Sequence, residues 1–154
     1  MSLFLDCDPG HDDAFALILA AWTPGFDLIG VLTAGGNQSI EETTRNALHM
    51  LQLAGVPEDQ APVYVGQARA LLNSNKLCPE VHGSSGLDRF SGVEMPVLTR
   101  ALAPVPPHQP GIVGAAQLLL DQPLKSVSFI ATARLTNVAL LFTLYPEVFS
   151  RLRC

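Results

Sequence analysis

The chain has 154 residues, enough for one domain with a sizeable apolar core, and 48% of them are apolar. Its formal net charge is −5, and its nine Lys and Arg residues are scattered, which argues against nucleic acid as a partner. An apolar content this high is typical of an α/β domain whose strands are covered on both faces, or of part of a larger fold.

The apolar runs are too short to cross a membrane. The longest, at residues 14–22 and 138–142, fall well below the ~20 residues of a transmembrane helix, and Asp6 interrupts any signal-peptide pattern. We therefore expect a soluble, cytoplasmic protein. The three cysteines lack metal-ligand spacing, which predicts free thiols, with Cys7 in the core and Cys154 exposed at the terminus.

The first predicted strand covers residues 3–7, and the Pro9-Gly10 turn ends it before a helix that begins at Asp12. A second apolar run at residues 26–33 predicts a strand that ends in a glycine-rich turn.

Ser39 and Glu42 have the spacing of a capping box, so a helix is expected from there to about residue 54. A third short strand is predicted at residues 62–66.

A long irregular loop is predicted over about residues 67–110, where Asn, Ser, Gly and Pro are frequent. Within it, glycines follow His82 closely, so its imidazole is expected to be exposed, whereas His108 lies among prolines and is assigned no role. After the loop, the apolar patterns predict a helix, a strand and a helix, at residues 111–120, 127–131 and 135–144.

This order of elements predicts an α/β fold: an open, mostly parallel sheet with flanking helices, similar to half of a Rossmann fold. Parallel strands of this kind bind ligands at their carboxyl ends. Asp8, Asn37 and Thr132 each follow a predicted strand, so they are expected at one edge of the sheet.

Four carboxylates surround the first turn, at Asp6, Asp8, Asp12 and Asp13. Asp6 and Asp8 lie on one face because strand side chains alternate. Carboxylates this close repel one another unless they take up protons or share a cation, and an all-oxygen set suits Ca²⁺ or Mg²⁺ better than Zn²⁺. The alternative is an acidic helix start on an ordinary surface loop.

The sequence DCDPGHDDA at residues 6–14 resembles the Asp-x-Asp-Pro-Gly-x-Asp-Asp signature of the inosine/uridine-preferring nucleoside hydrolase family. Further segments resemble the family in the same order, at residues 33–38, 44–47, 82–87 and 131–137. The resemblance implies the hydrolysis of purine or pyrimidine ribonucleosides to ribose and free base. A small-molecule nucleoside is then the substrate, and a homo-oligomer is an expected assembly.

The resemblance also implies a Ca²⁺ ion held by Asp8, Asp13 and the backbone carbonyl of Thr132, with Asp6 supporting this metal cluster from behind. Asp8 would also act as general base toward a water molecule.

For the substrate, the resemblance implies that Asp12 and Asn37 hold the ribose hydroxyls or the water, and that His82 lies on the substrate side. Asp8, Asn37 and His82 are therefore the expected catalytic residues, and Asp12, Asn37 and His82 the expected substrate-binding ones.

Members of the family are about twice this length, so the chain is expected to be the N-terminal portion of a single domain, residues 1–154, and weak or inactive alone. The alternative is a non-catalytic truncated isoform or a fragment that needs a partner. Arg134 departs from the family pattern, which often has Gly there; its cation would either crowd the Ca²⁺ or point to solvent.

A second enzyme class shares part of the acidic motif. Haloacid-dehalogenase-like phosphatases also place Asp-x-Asp after a buried strand and bind Mg²⁺. Their motif continues with Thr or Val where this chain has Gly10, and it gives no role to Asp12 and Asp13.

Overall fold

The computed structural model describes residues 1–73, 76–88, 95–105 and 109–153. The expectations for His108 and Cys154 lie outside the described residues. Within the described ranges, no helix is long and apolar enough to cross a membrane.

Four parallel strands form one sheet in the order β3-β2-β1-β4. They are β1 (Ser2–Cys7), β2 (Asp27–Thr33), β3 (Val63–Val65) and β4 (Val127–Ala131). Each neighbouring pair is parallel, as expected for strands joined by helical crossovers. This arrangement confirms the predicted open α/β sheet.

The helices agree with the sequence pattern. They are α1 (His11–Trp22), α2 (Ile40–Leu53), α3 (Pro79–His82), α4 (Gly111–Leu120) and α5 (Thr136–Leu144), followed by a 3-10 helix (Pro146–Arg151). Ser39 begins α2 as predicted, since its Oγ accepts a hydrogen bond from the Glu42 N–H at 3.4 Å. Between residues 67 and 105, α3 is the only helix in the described part of the chain.

Strands β1 to β3 are largely buried on both faces, and the alternating side chains of the sheet enter two apolar clusters. Leu3 and Leu5 of β1 belong to the cluster that includes helices α1 and α2. Phe4 belongs to the opposite cluster with α4 and α5, where its ring stacks on Phe129 at a centroid distance of 5.4 Å. Cys7 is fully buried in the first cluster, as predicted.

The strand register brings three carboxyl ends to one edge. Cys7, at the end of β1, pairs with Thr33, and Asp6 pairs with Ala131 of β4. The segments after β1, β2 and β4 therefore meet at this edge, as parallel topology requires.

Apolar surface remains exposed beside β1. The outer face of α1 carries four exposed side chains at helical spacing: Phe15, Ile18, Leu19 and Trp22. In β4, Ile130 is 42% exposed, although it pairs with Leu5 of the buried strand β1. A helix that is apolar all round is typical of one that is covered on all sides.

Candidate active site

The centre of the candidate site is Asp8, which follows the last residue of β1. Its Oδ2 accepts a hydrogen bond from the Asn37 backbone N–H at 2.9 Å. In return, the Asn37 side-chain Nδ2 donates to the Asp8 carbonyl at 2.9 Å. The two hydrogen bonds join the segment after β1 to the segment after β2 and fix the direction of the carboxylate.

Gly36 allows this close approach. A Cβ atom at position 36 would overlap the Asp8 Oδ2 atom. Any larger residue would therefore displace the Asp8 carboxylate or the loop itself.

Two further carboxylates lie behind Asp8. Asp13, at the start of α1, accepts a hydrogen bond on Oδ2 from the Asp8 backbone N–H at 2.9 Å. Asp6 accepts on Oδ1 from the side-chain Nδ2 of Asn137 at 2.7 Å, and its Oδ2 is buried without a hydrogen-bond partner among the described residues. Asp6, Asp8 and Asp13 are only 0%, 7% and 3% exposed.

Burial and mutual repulsion make this cluster costly to charge. Burial raises the pKa of Asp6 to about 7, with the Asn137 hydrogen bond opposing the shift and the charges of Asp8 and Asp13 adding to it. Burial also raises the pKa of Asp8 to about 7; the Asn37 backbone hydrogen bond lowers it, Asp13 raises it, and the Arg134 charge lowers it. Near neutral pH the cluster therefore needs protons or a cation.

Asp8 opens onto a cleft of about 360 Å³, a volume within the range of small-molecule sites. The residues that line it are Asp8, Asp12, Gly36, Asn37, Lys76, Cys78, Thr132, Ala133 and Arg134. A larger cleft of about 490 Å³ lies beside Tyr64 and Val113, but it contains none of the predicted site residues.

Thr132 is fastened to β1 at the edge of the cleft. Its backbone N–H and its Oγ1 both donate to the Asp6 carbonyl, at 2.8 and 3.2 Å. Asp12 is exposed at the first turn of α1. The structure thus brings Asp8, Asp12, Asn37 and Thr132 to one cleft.

His82, expected to expose its imidazole, is only half-exposed. Its ring lies in α3, packs against Gly10, and stacks with His11 at a centroid distance of 6.0 Å. The His82 Nδ1 atom is buried without a partner among the described residues, and His82 does not line the cleft that contains Asp8. The one-turn helix α3 folds the imidazole inward, whereas the glycines in the sequence indicated an open loop.

Two asparagines in this region were not predicted as site residues. Asn137 is fully buried and, besides Asp6, its Nδ2 donates to the Thr33 carbonyl at 3.0 Å while its Oδ1 accepts from the Gln67 N–H at 2.9 Å. Asn46 donates to the carbonyls of Pro9 and Ser85, at 3.0 and 2.9 Å. The position of Asn137, directly after the β4 turn, is the signal that identifies it.

The donor set suits a hard divalent cation. Within the described ranges, no group of three or more His, Cys, Asp or Glu side chains is placed to hold a metal. The predicted ligand set of Asp8, Asp13 and the Thr132 carbonyl contains only two such side chains, so it is compatible with that finding. A cation bound by oxygen ligands would satisfy the unpartnered Asp6 Oδ2 and relieve the repulsion between Asp8 and Asp13.

The fold and the site define an α/β protein with an acidic cleft at the carboxyl ends of its parallel strands. A family model for the inosine-uridine preferring nucleoside hydrolases matches residues 3–154. The chain therefore belongs to that family, which contradicts the phosphatase alternative.

Similar curated proteins are named pyrimidine-specific ribonucleoside hydrolase RihA. The protein from Klebsiella pneumoniae is 37% identical over 99% of this chain and 46% of its own length. The one from Photobacterium profundum is 38% identical over 97% of this chain and 45% of its own length. The chain thus spans about half the length of the relatives it matches.

Solved structures of other proteins share this fold. A purine-preferring ribonucleoside hydrolase from Gardnerella vaginalis superposes with a TM-score of 0.83 and 26% identity, over 99% of this chain and 46% of its own. An inosine-guanosine nucleoside hydrolase gives a TM-score of 0.80 and 29% identity, over 98% of this chain and 45% of its own.

Proposed function

We propose that the cleft at Asp8 is a ribonucleoside-hydrolase site, or the part of one that these residues form. In this site, water cleaves the N-glycosidic bond to give ribose and free base. The observation that carries the proposal is the carboxylate cluster at the cleft, in a chain that matches the nucleoside hydrolase family over residues 3–154. The names of the relatives include both pyrimidine-specific and purine-preferring enzymes, so uridine and inosine are both candidate substrates.

Asp8 is the proposed general base. Its carboxylate faces the cleft and is held by the Asn37 N–H, so its direction is set before a substrate arrives. A pKa raised toward 7 by burial makes it a stronger proton acceptor than an ordinary Asp, while part of the population stays ionised near neutral pH.

Asp12 and Asn37 supply the polar groups that face the sugar. Both line the cleft, and a carboxylate and an amide are suited to bind ribose hydroxyls or to orient a water. Bond cleavage develops positive charge on the ribose ring, which the nearby carboxylates stabilise. His82 is proposed to act from the substrate side, which requires α3 to present its imidazole to the cleft.

Asp8, Asp13 and the Thr132 carbonyl are the residues that would hold Ca²⁺, with Asp6 supporting them from behind. When bound, such a cation orients water and lowers its pKa. The chain's own contribution is to keep three acidic side chains at the end of β1 against their mutual repulsion.

These 154 residues are proposed to be the N-terminal portion of a single domain and to turn over nucleosides only weakly by themselves. They match about 46% of their relatives' length, and the outer face of α1 and Ile130 of β4 leave apolar surface exposed. A homo-oligomer or a partner polypeptide would bury this surface. A non-catalytic, partner-dependent role is therefore the second proposal.

The deciding experiment measures ribose release from uridine and from inosine by the purified chain with Ca²⁺. We expect slow release that the D8N variant abolishes, because it removes the proton acceptor. The matched control is D27N, since Asp27 is exposed at the opposite end of the sheet. No release from either nucleoside by the wild-type chain favours the partner-dependent role.

Thermal unfolding separates metal binding from turnover. Ca²⁺ at a hundredfold excess over its Kd is expected to stabilise the native chain by about 2.7 kcal/mol relative to EDTA. The melting temperature then rises by several degrees, and D8N loses the rise while D27N keeps it. An equal response in wild type and D8N contradicts the proposed ligand set.

A further inference from the structure

Arg134 reaches across the cleft from the segment between β4 and α5. One guanidinium nitrogen, Nη2, donates to the Lys76 carbonyl at 2.9 Å and to the Gly36 carbonyl at 3.2 Å. The first contact fastens the segment that precedes α3, and the second fastens the loop after β2. The side chain is partly buried, lines the cleft and is bound to backbone carbonyls, so it does not simply point to solvent, and its crowding of a cation stays a prediction.

The Gly36 carbonyl and the Asn37 N–H belong to the same peptide group. The carbonyl accepts from Arg134, while the N–H donates to the Asp8 Oδ2 at 2.9 Å. A cation therefore lies at the acceptor end of one peptide and a carboxylate at its donor end. Charge-assisted hydrogen bonds at both ends polarise the peptide and strengthen one another.

The same peptide neighbourhood also fixes the wall of the cleft. The Cys78 N–H donates to the Asn37 carbonyl at 3.1 Å, close to the point where Arg134 holds Lys76. The wall formed by Lys76 and Cys78 is therefore attached to the loop after β2 both by the guanidinium and by a backbone hydrogen bond.

We propose that Arg134 is a positioning residue that holds the Asp8 carboxylate in place through the Gly36–Asn37 peptide and keeps residues 76–78 as the wall of the cleft. This inference deepens the proposed function, since it bears on catalysis only if Asp8 acts in the cleft. The favourable charge of Arg134 toward Asp8 is consistent with this arrangement. Arg134 contacts no substrate in this proposal.

The test is amide hydrogen exchange of the full chain in EDTA, followed residue by residue by NMR. The R134M variant keeps the length of the side chain but removes its donors. We expect the Asn37 and Cys78 amides to exchange at least tenfold faster in R134M, because a charge-assisted hydrogen bond is lost at each segment. R134K, which keeps a cation, should restore most of the protection.

Two controls make the result specific. R45M removes an exposed Arg that pairs with Glu42 on α2, and it should leave both amides unchanged. The Leu5 amide in β1 reports global opening. Unchanged exchange of Asn37 in R134M would overturn the inference, and so would an equal acceleration at Leu5, since the effect would then be one of general stability.

If R134M does not fold, R134Q and R134K are compared instead. Faster exchange of Asn37 and Cys78 in R134Q than in R134K supports the inference, and equal exchange overturns it. The readout needs no nucleoside turnover. Loss of amide protection without ribose release by any variant leaves Arg134 as a positioning residue and counts only against the proposed function.

Discussion

Asn137 tests whether the buried polar network behind the cleft holds the sheet edge together. The N137A change removes three hydrogen bonds at once and leaves the Asp6 carboxylate, the Thr33 carbonyl and the Gln67 N–H without this partner. Each buried group left unsatisfied costs about 1–3 kcal/mol, and water entering the space of the side chain keeps each near the lower limit. We therefore expect a loss of about 3–5 kcal/mol in the free energy of unfolding.

Urea denaturation and thermal unfolding measure this loss directly. For a chain of this length a loss of about 4 kcal/mol lowers the melting temperature by about 10 °C. The matched control is N73A, an exposed Asn, which should stay within about 0.5 kcal/mol of wild type. N137D keeps the shape of the side chain but sets a second carboxylate against Asp6, so it should cost at least as much. A loss below about 1 kcal/mol in N137A would refute the reasoning.

Three further predictions concern pH, close packing and a buried cation. In EDTA, the free energy of unfolding should fall as pH rises from about 4 to 7, by a few kcal/mol for the cluster as a whole, because the pKa values of Asp6 and Asp8, raised from 3.8 to about 7, make the folded state bind more protons than the unfolded state. The loss of stability is complete above pH 7, and Ca²⁺ should prevent most of it. Urea titrations at pH 5 and 7.5 measure the difference. Greater stability at pH 7.5 without metal would contradict the prediction. G36A should abolish the rise in melting temperature with Ca²⁺, because its Cβ overlaps the Asp8 carboxylate, and a retained rise would show that the loop adapts. R100M should cost about 2–4 kcal/mol in urea denaturation, since the Arg100 guanidinium is buried and donates to three backbone carbonyls within residues 56–61; a cost below about 1 kcal/mol would show that water satisfies them.

The positions of the strands and helices were largely readable from the sequence. The Ser39 capping box marked the start of α2, and apolar runs marked β1, β2 and β4, because local periodicity and capping depend on neighbouring residues. The predicted strands also placed Asp8 and Asn37 at the same edge, because each residue follows a strand and parallel strands have their carboxyl ends on one side of the sheet.

The sequence did not predict which way His82 and Arg134 point. His82 was expected to be exposed, but α3 turns its imidazole toward Gly10. For Arg134 the sequence left open whether the cation crowds a metal site or faces solvent; the side chain lines the cleft and binds the carbonyls of Gly36 and Lys76. Both outcomes depend on segments that are irregular in sequence and acquire a shape only against the rest of the fold.

The sequence alone therefore determined the family, the parallel sheet and the acidic edge where the proposed ligand site lies. Tertiary structure decided which groups hold each carboxylate. Asp6 accepts a hydrogen bond from Asn137, which is 131 residues away along the chain, and Asp8 accepts one from Asn37, which is 29 residues away. The physical reason is that a carboxylate's pKa and direction depend on burial and on hydrogen-bond donors, and these donors come from other strands and helices, whose approach no local pattern encodes.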